Sequence, residues 1–377
     1  MANNRTALRL ARMTPLASIF GSGLLVIVPI LNAAVGPYSI FAMAGVCALA
    51  YAMGSVIRFN IRYVEPLHEA GTVSDRTARN ERTANLALVL AYAISVCLYI
   101  HILASFLLGG LGINTPLREN IFVVVVIVGI GAVGRFKGLD ILLAMEKWAL
   151  RVTMVLILLM IIGFAAYDWR AFTSNTLQLP AFPKQDLWTV LTVLGGTLIV
   201  VQGFETSRYL GSEYDRELRV RSCRSSQLVS TFIYLIFIAA ATPLMHFLNN
   251  KVEDNGLLLI AAKASALLPI PIVIAAVLSQ FSAAVADVVG GGGTIAESTN
   301  GRVDERRAYL LICGIGVVMA FASTLTLLSF ASRAFAFYYF LQCLVALSVC
   351  KDSLRKVAIS ILALILAFIT LFAVPAG

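Results

Sequence analysis

Two carboxylates stand inside otherwise apolar stretches, Glu205 in Gly203-Phe204-Glu205 and Asp287 in Ala284-Val285-Ala286-Asp287-Val288. An acid at membrane depth is costly and is kept for function or for a specific partner. Glu205 reads as a functional group, or as a structural carboxylate that caps exposed N–H groups or pairs with Arg208. Asp287 reads as a proton carrier, or as a surface acid near the end of its helix. Two glycine-interrupted stretches accompany them, Gly21-Ser22-Gly23 and Gln202-Gly203. Glycines in membrane helices often serve close packing. A helix unwound there instead aims freed backbone N–H groups and the positive end of a half-helix into a cavity, where they hold a carboxylate or another anionic group. Glycine lets the ligand approach the main chain. The substrate is placed between the two breaks, against Gly21, Ser22, Gly23, Gln202, Gly203 and Phe204.

Helices must position these groups. The chain has 377 residues, 59% of them hydrophobic and 13% charged, far from the even balance of a soluble domain. Its mean hydropathy is +0.88. Apolar runs long enough to cross an ~30 Å hydrocarbon core recur to the end of the chain. They predict an all-α polytopic membrane protein with eleven spans, near 16–34, 37–58, 85–109, 120–134, 139–165, 187–207, 226–247, 265–293, 308–325, 327–349 and 357–374. The loops are short and leave no room for a soluble module, so 1–377 reads as one transmembrane domain. Residues 1–34 read as a retained first span, because the apolar run is long for a cleaved signal.

Lys and Arg gather in alternate loops, among them Arg76, Arg79 and Arg82, Arg219, Arg221 and Arg224, and Arg302, Arg306 and Arg307. This bias predicts a cytoplasmic N-terminus and an outside C-terminus in the inner membrane. It also accounts for the net charge of +9 without nucleic acid, because the charges are scattered and not gathered in one patch. The six cysteines show no metal or redox spacing; Cys223 falls in a loop and the other five in spans or at their ends. No H-E-x-x-H, G-x-S-x-G or phosphate-loop motif is present. Gly290–Gly293 reads as the loosened end of the eighth span.

The two interrupted spans are the first and the sixth, and they enter from opposite sides. This pairing predicts inverted repeats, about 10–165 and 187–350, with helices one and six broken and an extra helix at 357–374. At this point "GSGLLVIVP" (21–29), "QGFETSRYLGSEYDRELRVRS" (202–222) and "GRFKGLDILLAMEKWALRVTMVL" (134–156) resemble the signatures of the amino acid–polyamine–organocation (APC) superfamily. The likeness covers roughly residues 10–350 and implies the leucine-transporter fold. The sequence departs from the family pattern in two places: Leu198–Val201 stand where an aromatic gate is common, and no proline follows the acidic residue in "SEYDRELRVRS".

The resemblance implies further roles. Glu205 would sense protons or couple the gate. Helices one and eight would bind a cation through Ser279, Ser282 and Asp287 with carbonyls near Gly21 and Leu24, which suits Na⁺. Thr153 stands where some proton-coupled members carry a lysine. Tyr99, on one face of helix three with Tyr92, Ser95 and Phe106, would line the cavity. His101 sits on another face, as a relay or as a histidine hydrogen-bonded between helices. Arg333, near the outer side, would gate the entrance or snorkel to the interface.

The expected function is secondary active transport of an amino acid or related small amine, driven by Na⁺ or H⁺, by alternating access. The alternatives are a non-transporting receptor or scaffold, and a K⁺ transporter of the same superfamily. No catalysis, no resident metal and no cofactor beyond a coupling Na⁺ are expected. The expected partners are a small-molecule substrate and membrane lipid, in a monomer or homodimer.

Overall fold

A computed structural model describes residues 2–21, 23–139, 146–211, 213–249, 251–299 and 301–375, and every regular element among them is helical. An amphipathic α1 (Ala2–Ala11) leads into the first span, which is split into α2 (Met13–Gly21) and α3 (Ile27–Val35). α4 (Ser39–Phe59) passes through a π turn at Asn60–Val64 into the short α5 (Glu65–Glu69). Then come α6 (Asp75–Gly110), α7 (Pro116–Phe136) and α8 (Glu146–Thr173). The sixth span begins as α9 (Leu187–Gly195) and breaks into 3-10 turns at Leu198–Val201 and Phe204–Tyr209. The chain continues with α10 (Arg216–Ala241), α11 (Gly256–Ala264), α12 (Pro269–Ser298), α13 (Glu305–Met319), α14 (Thr324–Val349) and α15 (Ser353–Phe372).

Starts are set by short polar caps. Ser74, Thr115, Asp186, Asp215, Asp304, Ser323 and Asp352 each accept a hydrogen bond from a first-turn N–H. Among the described residues eight helical stretches are long and apolar enough to cross a membrane. That criterion misses the two interrupted spans and the 15-residue α13, and with them the eleven expected crossings are accounted for. The chain is an all-α polytopic membrane protein.

Several boundaries differ from the expectation. α6 has 36 residues and begins at Asp75, where a loop to residue 84 was expected. At 1.5 Å per residue it is about 54 Å long, well beyond the hydrocarbon core. Hydropathy detects only the apolar part of such a helix, whereas the Ser74 cap sets its true start. α12 likewise runs unbroken to Ser298 through Gly290–Gly293, so these glycines are not a loosened end. They admit α13: a methyl added at Gly291 would lie 2.6 Å from Ile312 Cδ1, and one at Gly292 would overlap the Tyr309 ring. α8 is described from Glu146 and extends to Thr173, past the expected end at 165; residues 140–145 of the expected fifth span lie outside the described residues. Cys223 is buried within α10, and all six cysteines are free and buried.

α6 is the centre of the bundle, packed most heavily on α12 and α14, and buried on nearly all sides over its apolar stretch. α10 packs on α4, and α15 lies against α14. The basic loops meet at one end, where Arg62 pairs with Glu217 and Arg216 with Glu69.

Candidate functional site

The two breaks pack directly on one another. Gly23 has φ +134° and Gly203 φ +119°, values that side chains with a Cβ rarely adopt. A methyl on Gly203 would come within 2.6 Å of the Ile19 backbone nitrogen, and one on Gly23 within 3.0 Å of Val200 Cγ2. Gly21 is equally tight, with Ala283 Cβ of α12 only 2.5 Å from an added methyl. Tyr234 of α10 spans both breaks, its hydroxyl donating toward the carbonyls of Ile19 (3.2 Å) and Val200 (2.6 Å). Ser332 of α14 mends the sixth span, accepting from the Ile199 N–H (3.0 Å) and donating to the Gly196 carbonyl (2.8 Å). Backbone groups released inside a membrane protein must find partners of this kind.

Glu205 caps the second break. Its Oε2 accepts from the Gly203 N–H at 2.9 Å and from the Tyr339 hydroxyl at 2.6 Å. The carboxylate is fully buried, and Phe204 stacks on the Tyr339 ring with centroids 5.3 Å apart. Arg208 turns away from Glu205 and enters a separate ion network, paired with Glu81 of α6 and 3.7 Å from Glu65 of α5. Arg219 holds Glu65 at 2.7 Å, and His68 contacts Glu81. Gln202 donates to the Tyr99 hydroxyl at 3.2 Å, which ties α6 to the break.

The expected cation set separates into two places. Ser279 and Ser282 of α12 line a small cavity with Ala17 and Phe20 of α2 and Thr153 of α8. Thr153 Oγ1 is buried with no hydrogen-bond partner among the described residues. Asp287 does not belong to this set. It lies on another face of α12, in a cavity shared with Tyr92 of α6, and its Oδ2 is buried with no hydrogen-bond partner among the described residues. The reason is helical geometry: at 100° per residue, five residues from Ser282 turn a side chain well away from it. Leu24 and Gly21 are buried at the break, near Ser279, whose carbonyl would be 3.3 Å from a methyl on Gly21.

Asp287 opens instead into a cavity of about 810 Å³. Ser18 and Thr206, which flank the two breaks, and Tyr92 of α6 form its inner end, and Glu213 and Tyr214 lie toward the basic-loop end. Among the described residues four carboxylates line it, Glu146, Glu213, Asp287 and Glu297, and no lysine or arginine does. Tyr214, in the loop outside the spans, has its phenol pKa raised by partial burial and then by Glu213, so it remains a neutral hydroxyl.

Comparison with known proteins agrees with this architecture. A family described as APC superfamily transporter matches residues 2–373. The chain belongs to the APC superfamily of transporters. It is similar to an uncharacterized protein of Aquifex aeolicus (strain VF5), with 38% identity over 368 residues that cover 96% of this chain and 89% of that one.

In this APC transporter the remaining expected residues fall as follows. Ser22 lies outside the described residues. Arg333 donates from Nε to the Thr370 carbonyl (2.8 Å) and from Nη2 to the Leu371 carbonyl (3.2 Å), closing the C-terminal end of α15. Cations settle naturally on such carbonyl ends. His101 bridges α6 to the Ala320 carbonyl at 2.9 Å, a structural bond between helices. Tyr99, Gln202 and Phe204 are buried and are not among the residues that line the acidic cavity. Sequence reasoning missed Tyr234, Tyr339 and Ser332. A hydroxyl in an apolar helix carries no signal until its partner across the bundle is known. The Tyr-Tyr pair in "FYYF" (337–340) was the one visible hint.

Proposed function

We propose that the protein is a secondary active transporter of a small amine-bearing solute, working by alternating access. The observation that carries the reading is the acidic cavity, which leads from one end of the bundle to the flanks of two interrupted spans. Helices broken at mid-depth and set face to face are the usual frame of a substrate site in secondary transporters, and the leucine-transporter fold with its 5+5 inverted repeat is the architecture proposed. With the basic loops cytoplasmic, the cavity faces inward and its far end is sealed by Gln202, Tyr99 and the aromatic stack of Phe204 on Tyr339.

Asp287 would hold the ammonium of the solute, with Glu146 near it and Ser18 and Thr206 contributing hydroxyls. The driving ion would be Na⁺ at Thr153, Ser279 and Ser282, or H⁺ carried by Glu205 or Asp287. An ammonium group and a bare K⁺ suit the same carboxylates, so an inorganic-cation carrier is the second reading. The work proposed is carriage across the inner membrane and not catalysis. Uptake by proteoliposomes under imposed Na⁺, H⁺ and K⁺ gradients tests it. Accumulation of labelled amino acids or amines that follows one gradient is expected; uptake indifferent to all three, or binding without exchange, overturns the proposal.

A further inference from the structure

The basic-loop end carries a second cavity, of about 580 Å³, between the end of α4 and the starts of α10 and α15. Five arginines line it, Arg58, Arg62, Arg221, Arg224 and Arg355, against one carboxylate, Glu217. Glu217 is already taken by Arg62, through two bonds of 2.8 and 2.6 Å. Arg58 is anchored at 2.5 Å to the Gln227 amide oxygen and lies over the Tyr51 ring. Arg355 lies over the Phe59 ring. Among the described residues no carboxylate comes within 4 Å of Arg221, Arg224 or Arg355.

These charges sit where the protein itself repels them. Arg355 lies in the first turn of α15, at the positive end of that helix dipole, and Arg221 lies in the second turn of α10. Such a cluster calls for an anion, and guanidinium forks match phosphate oxygens. The cavity also has an apolar exit. Ile359 and Leu362 form one wall, and just outside it Leu354, Val357 and Ile361 of α15 are 84%, 58% and 54% exposed on a helix long and apolar enough to span. A free anion has no use for that surface, whereas acyl chains would cover it.

We propose that this cavity binds the phosphate headgroup of an anionic phospholipid, with Arg221, Arg224 and Arg355 as its ligands and the acyl chains laid along α15. Basic pockets between spans on the cytoplasmic side are fitted to such lipids. The site is separate from the acidic cavity and independent of what the protein transports.

The test uses the full chain in phosphatidylcholine nanodiscs titrated with phosphatidylglycerol, with bound lipid counted by native mass spectrometry. R221Q/R224Q/R355Q is expected to weaken phosphatidylglycerol binding by roughly 100-fold. R76Q/R79Q/R306Q removes the same charge from exposed positions outside this cavity and is expected to bind as the unmodified protein does. If the first triple does not fold, R224Q alone is expected to lose about fivefold. The proposal is overturned by equal losses in the two triples, by phosphatidylcholine binding as tightly as phosphatidylglycerol, or by unchanged binding in R224Q and the site triple. Glycerol phosphate, which lacks acyl chains, is expected not to compete; competition at equal concentration would make this a soluble-anion site and overturn the lipid assignment.

Discussion

Gly203→Ala tests whether the break in the sixth span is built as described. Residue 203 has φ +119°, outside the regions open to residues with a Cβ, and holding alanine there costs about 1–3 kcal/mol. The new methyl also meets the Ile19 nitrogen at 2.6 Å and Ser18 Oγ at 2.7 Å. The first of these is backbone, so it cannot swing aside, and overpacking of this kind adds about 1–3 kcal/mol. The expected destabilisation is therefore roughly 2–6 kcal/mol. Gly45→Ala is the control, because an added methyl there meets nothing within 4 Å and the residue lies inside α4. It should be neutral or stabilise by up to about 1 kcal/mol through helix propensity. Both variants would be compared by denaturant unfolding of the purified protein in detergent, with uptake measured on the folded fraction. Should Gly203→Ala unfold at the same denaturant concentration as Gly45→Ala, the packed break between the two spans is wrong.

Other outcomes follow from named contacts. Tyr339→Phe removes a 2.6 Å donor from the buried Glu205 and should destabilise by about 1.5–3 kcal/mol, read by the same unfolding assay. Arg208→Gln and Glu81→Gln break a pair whose side chains are about nine-tenths buried; each should lose about 3–5 kcal/mol. Their double mutant should fall well short of the sum, and strict additivity would deny the pairing. Arg333→Gln should lose only about 1–2 kcal/mol and leave uptake per folded molecule unchanged, since it closes α15; altered outer access would restore it as a gate. Asp287→Asn should abolish substrate binding while leaving any Na⁺ binding intact, and Thr153→Ala with Ser282→Ala should do the reverse. Equilibrium binding of labelled solute and of ²²Na⁺ would separate the two, and identical effects would rejoin Asp287 to the cation set.

Much of this molecule was written in the order of its residues. An apolar run of some twenty residues has few stable states other than a membrane helix, so the eleven crossings and the all-α class followed from composition alone. Glycine beside a polar residue, in Gly21-Ser22-Gly23 and in Gln202-Gly203, marked where two of those helices would fail, because few other residues tolerate φ near +120°. The two buried acids were equally visible. What they do was not. Glu205 could have faced Arg208 or its own broken helix, and only the arrival of Tyr339 from α14 decided for the latter. Asp287 and Ser282 are neighbours in sequence, yet a few residues of helix turn them toward different cavities. Arg333 found its partners on α15, in carbonyls that no pattern of side chains announces. Sequence sets the solvent in which each segment is stable, a property of local composition. Which polar group meets which across the bundle depends on helix rotation and packing between distant segments, and the tertiary structure alone supplies that.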